Sequence, residues 1–107
     1  MANTFKRKTL ANIDTTLVAV YTVPASTTTV VLGCTLANIS SSSITASIRL
    51  VNSGDDTYII KDIPIPSGSS VEVMAGNKVV MEPSDILQVQ GSIINSLDAT
   101  LSIMEMG

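Results

Sequence analysis

The sequence predicts an all-β fold: an antiparallel β-sandwich, immunoglobulin-like or jelly-roll-like, of about eight strands with little or no helix. Three observations carry this expectation. Apolar residues recur with period two, as in Ile44-Ala46-Ile48-Leu50 and Leu97-Ala99-Leu101-Ile103, each set interleaved with polar residues. Clusters of turn-forming residues separate these runs at intervals of roughly 8–15 residues. No segment repeats apolar positions with helical spacing. The chain of 107 residues suggests one domain over residues 1–107, with an N-terminal arm at about residues 1–10.

Strands are expected near residues 4–10, 16–23, 28–39, 43–52, 57–63, 69–74, 78–81, 86–92 and 97–105, some of them merging. The first is the arm, Thr4–Leu10, which also reads as an ordinary solvated strand. The second ends at Pro24, which cannot donate to a ladder. Ala25–Thr27 then turn the chain. From Thr28 the stretch TTVVLGCTLAN is apolar or small on both sides: Val30, Leu32, Cys34 and Leu36 one way, and Val31, Gly33, Thr35 and Ala37 the other. A strand covered on both faces reads this way. Its outward side is therefore expected to meet a loop or another chain. Ser40–Ser43 connect it to the next strand. Asn52–Asp56 form a polar hairpin tip, Pro66–Ser69 a turn, Ala75–Lys78 another, then Glu82–Asp85 and Asn95-Ser96.

The composition argues against chemistry. There is no histidine, so His-based triads are excluded and the commonest general base is missing. The lone Cys34 cannot build a disulfide framework and reads as a small buried hydrophobe. Asp55-Asp56 lack the further oxygen ligands of a calcium loop. Asp62, Glu72, Glu82 and Asp85 lie on different strands and turns, with nothing to show that they converge. The expectation is no enzyme and no cofactor. Aromatics are 3% of the chain, too few for a sugar platform or a base-stacking surface, so no nucleic acid is expected as partner. No run approaches a membrane-spanning helix, and Asp14 interrupts any signal-peptide core, so no membrane partner is expected.

Charged residues are 14% of the chain against a usual quarter, while apolar residues are 45%. Serine and threonine hydroxyls are expected to wet part of such a surface, and partner subunits to cover part of it. The formal charge of −3 is uneven, because Lys6, Arg7 and Lys8 hold half of the six basic groups. A basic arm of this kind suits an acidic protein surface or nucleic acid, though three charges alone would hold DNA only weakly and in a salt-sensitive way. Apolar doublets recur at Ile59-Ile60, Val79-Val80 and Ile93-Ile94. Of Met74, Met81, Met104 and Met106, the last two are out of phase with the core or terminal. The candidate partner contacts are Phe5, Lys6, Arg7, Lys8, Ile60, Val80, Ile94, Met104 and Met106.

The segments YTVPASTTTVV, IPIPSGSSVEV and SLDATLSIME give the chain, over nearly its whole length, a resemblance to small virion structural proteins of tailed bacteriophages. The resemblance implies a β-sandwich assembled on a virion, as a head decoration (cement) protein or as a tail, neck or baseplate component, and carries over no catalytic residue. A carbohydrate- or receptor-binding module is a further alternative. The expected partners are the protein itself, as a homodimer or homotrimer, and the major capsid protein or another virion protein. The expected location is the virion, assembled in a bacterial cytoplasm.

Overall fold

The computed structural model describes residues 3–74 and 78–107. Its described residues form nine strands: β1 (Asn3–Ile13), β2 (Val18–Thr22), β3 (Thr28–Asn38), β4 (Ile44–Asn52), β5 (Asp55–Ile65), β6 (Ser70–Glu72), β7 (Val79–Met81), β8 (Ile86–Gly91) and β9 (Leu97–Met106). Each expected strand is present. The turn expected at Ala75–Lys78 falls, except for Lys78, outside the described residues. β5 begins earlier than expected because Ser53 and Gly54 both adopt positive φ, 48° and 94°, giving a two-residue hairpin that lets pairing start at Asn52–Asp55.

Two antiparallel sheets pack face to face. One has the order β1-β9-β3-β6, with β7 also paired to β3; the other has the order β2-β8-β4-β5. β6 and β7 lie along one edge of β3 at separate places, so together they act as one interrupted strand. Counted so, the sandwich has eight strands in two four-stranded sheets. Apart from the β4–β5 hairpin, successive strands alternate between the sheets, which is the jelly-roll connectivity rather than the immunoglobulin one.

Period-two alternation fills the space between the sheets. Leu97, Ala99, Leu101 and Ile103 of β9 face Ile44, Ala46 and Ile48 of β4 and Leu87 and Val89 of β8, all of them buried. Met74 and Met81 fill the same core. Each fully buried Leu or Ile contributes about 1.5–3 kcal/mol of transfer free energy.

β3 departs from the expected alternation. Its register against β9 shifts between Val31 and Gly33, a bulge that inserts Leu32. Val31, Cys34 and Leu36 therefore point inward, and Val30 points out with Gly33, Thr35 and Ala37. The expected grouping of Val30 with Cys34 is thus corrected, and so is that of Val31 with Gly33. Glu72 holds the bulge: its Oε2 accepts from the N–H groups of Cys34 at 2.9 Å and Met74 at 3.0 Å. A side chain at Gly33 would meet that carboxylate at 3.2 Å.

The serine connector after β3 is organised by Asn38, which is buried. Its Nδ2 donates to the carbonyls of Ser42 (2.8 Å) and Ile65 (2.9 Å), and its Oδ1 accepts from the N–H and Oγ of Ser40. Asn38→Ala would leave buried groups unpaired and should cost about 2–3 kcal/mol. Ser41→Ala, at an exposed site, should change stability by less than about 0.5 kcal/mol. The midpoint of urea unfolding measures both.

Candidate interaction surfaces

The alternation that fills the core also composes the two outer faces, and they differ. On the β1 sheet the register aligns Phe5 with Met104, Met104 with Val30, and Val30 with Val80. Four apolar side chains thus form one row across β1, β9, β3 and β7. At a strand spacing of about 4.8 Å the row spans about 14 Å. Phe5 is 72% exposed and Val80 60%, while Met104 and Val30 are half-buried. The row is bordered on one side by Arg7 and Ser102, and on the other by Asn3, Met106 and Thr28.

The opposite face, on the β2 sheet, is polar. Arg49 donates to Gln88 at 2.9 and 3.1 Å and lies 3.6 Å from Asp56. Ser47 and Asp62 share a second bulge: the Asp62 N–H donates to Ser47 Oγ at 2.9 Å, with Asp62 at φ 53°. Beside them is a polar hollow of about 340 Å³ bordered by Thr45, Lys61 and Gln90. Ile60, expected as a contact, packs half-buried against the core. An extra residue, Ile59, opposite Ile48 and Arg49 shifts the pairing there, and both isoleucines turn toward the interior.

The three basic residues of β1 do not act together. Strand alternation sends Arg7 to the outer face, beside Ser102, and sends Lys6 and Lys8 toward the inner side, opposite Ile103 and Leu101. Lys6 is held by its own chain, 2.8 Å from Glu105, whose other oxygen accepts from Tyr21 Oη at 2.5 Å. Tyr21 Oη also meets buried Thr29 Oγ1 at 2.8 Å. Lys6, expected as a partner contact, is thus placed in an ion pair within its own chain, and the arm is an edge strand hydrogen-bonded to β9 from Asn3 to Leu10. Inward lysines on an edge strand oppose pairing with a foreign strand. One edge of the other sheet, β5, is interrupted by its bulges and Pro64.

A second apolar surface lies at the end of the sandwich where three connectors meet. The Ile39 N–H donates to the Ser96 carbonyl, the Ser96 N–H to the Ile13 carbonyl, and the Asn95 N–H to Asp14 Oδ1. This arrangement displays Ile94, 66% exposed, together with Ile39 and Ile93. Ile94 was expected as a contact; Ile39 was not, because a single isoleucine beside a serine tract carries no periodic signal.

Cys34 is buried as expected, and burial, with the nearby Glu72 charge, pushes its thiol up to about 12. Its thiolate is therefore scarce at neutral pH. Among the described residues, no group of three or more His, Cys, Asp and Glu side chains is placed to hold a metal ion. Likewise, no helix among them is long and apolar enough to cross a membrane.

The sequence matches no family model and no curated protein. Solved structures do share the fold. A chain of the disulfide-linked pili of Bacillus endospore appendages aligns with TM-score 0.57 at 12% identity, over 98% of this chain and 89% of that one. A chain of the acid-stable capsid of Helicobacter pylori bacteriophage KHP30 aligns with TM-score 0.55 at 9% identity, over 98% and 87%. A chain of the T13 IBDV viral particle aligns with TM-score 0.60 at 8% identity, covering 96% of this chain and 30% of that longer one. At such identities the likeness establishes the fold.

The Glu105 cluster has a pH signature. The hydrogen bond from Lys6, then that from Tyr21, hold the Glu105 carboxyl below its ordinary value of 4.5. A depressed carboxyl contributes stability above its unfolded value and loses it as pH falls through the folded one. The stability of the native chain should therefore fall more steeply between about pH 6 and pH 3 than that of Glu105→Gln. Urea unfolding across this range tests it; parallel curves would contradict the assignment.

Proposed function

We propose that the chain is a non-enzymatic structural subunit of a virion, a head decoration protein of a tailed bacteriophage that stabilises a capsid by contact area alone. The carrying observation is the pair of exposed apolar surfaces, the Phe5–Met104–Val30–Val80 row and the Ile39–Ile93–Ile94 loop end, on a sandwich whose β1 and β5 edges resist strand addition. Such surfaces on a small domain serve contact with other protein. The likeness to capsid chains supports the reading at the level of the fold, and the resemblance to tailed-phage virion proteins supports its specific form. Many modest contacts repeated over a shell add through multivalency.

A disulfide-linked fibre is a poor alternative, because the single cysteine is buried mid-strand and its thiol is shifted against ionisation. Tail, neck or baseplate placement remains the competing site on the particle. Quantitative mass spectrometry of purified virions decides it: hundreds of copies per particle are expected, and six or twelve would move the protein to the tail or neck. Ile94→Asp should keep the fold and lower occupancy on the capsid at least about tenfold, since it places a charge in an apolar contact. Unchanged occupancy would remove the loop end from the interface.

A further inference from the structure

We infer that the β1-sheet face is completed by a second copy of the same chain, in a two-fold contact whose axis runs along the apolar row. This deepens the assembly reading above and rests on it only in treating that face as a contact surface.

The inference starts from the charges beside the row. From Lys78 to Glu82 the chain is exposed, half-buried, exposed, buried and exposed in turn. Lys78, Val80 and Glu82 therefore share the outer side, with Val80 in the middle and each charge about 7 Å from it along the strand. No ion pair within the described chain uses Lys78, Glu82 or Arg7. On β1, Asn3 and Arg7 flank Phe5 in the same manner. The face therefore carries an apolar row with a cation on one side of Val80 and an anion on the other.

Two simple two-fold operations bring this face onto itself. An axis along the strands would set Phe5 over the partner's Val80, but would also set Arg7 over the partner's Lys78, a like-charge contact. An axis along the row reverses the strand direction and keeps each strand over its counterpart. Phe5 then meets Phe5, Met104 meets Met104 and Val80 meets Val80. Lys78 meets Glu82 twice, and Arg7 meets Asn3. The charge pattern is self-complementary only in this second arrangement. It is an isologous contact, in which one patch serves as both halves of the interface. Facing sheets pack about 10 Å apart, close enough for the row to interdigitate, and a pair of Phe rings adds about 0.5–1.5 kcal/mol beyond its buried area.

Sedimentation equilibrium of the purified chain tests this, at concentrations up to about 100 µM. The native chain should be a dimer. Lys78→Glu should raise the dissociation constant about tenfold or more, because it faces Glu82 twice. Lys78→Glu combined with Glu82→Lys should return it to within about threefold of the native value. Phe5→Asp should give a monomer with unchanged circular dichroism, since Phe5 lies outside the core. A native monomer, a trimer, or a double reversal no tighter than Lys78→Glu alone would overturn the two-fold contact. None of these outcomes bears on copy number in virions, so failure of the dimer and failure of the virion reading are separate results.

Discussion

Burial of one face of β9 is the constraint on which the rest of the molecule depends. β9 is the last strand in the chain and lies between the first, β1, and the third, β3. Leu97, Ala99, Leu101 and Ile103 are sealed in the core, so every intervening residue must point outward. That parity puts Met104 on the outer face, and pairing on both sides brings Phe5 and Val30 level with it. The apolar row is thus a consequence of core packing. A slip of one residue in β9 would bury Thr100 and Ser102 and expose Leu101.

The surface divides accordingly. The β2-sheet face satisfies its own polar groups, as the Arg49–Gln88 and Ser47–Asp62 bonds show. The β1-sheet face has a four-residue apolar row with unpaired charges beside it. The β1 edge carries inward lysines, and the β5 edge carries bulges and a proline. Growth by strand addition is opposed at these two edges, while contact through a face or a loop end is open.

Strand positions and turn chemistry were legible in the sequence because they depend on local pattern. Asn52–Asp56 forms the hairpin tip, and Gly68 takes the positive φ its turn needs. What local pattern could not show was set by distant residues. The bulge in β3 depends on Glu72, which reaches back to Cys34 N–H, and it reverses the facing of Val30 and Val31. The fate of Lys6 depends on Glu105, a partner near the other end of the chain. The choice between immunoglobulin and jelly-roll connectivity rests on pairings such as β1 with β9, which no short window contains. Among the expected contacts, Phe5, Arg7, Val80, Ile94, Met104 and Met106 lie at or beside the apolar surfaces. Lys6 and Ile60 are held within the chain, and Lys8 faces inward.

Hydroxyl-radical footprinting tests the central claim most directly, by comparing the dispersed chain with the assembled particle. Met74 and Met81 lie in the core and serve as internal references. The account predicts that Phe5 and Met104 lose most of their labelling on assembly while the two core methionines stay unlabelled in both states. Equal labelling of Phe5 and Met104 in the free and assembled protein would contradict it, because the apolar face would then remain open to water where it should be covered.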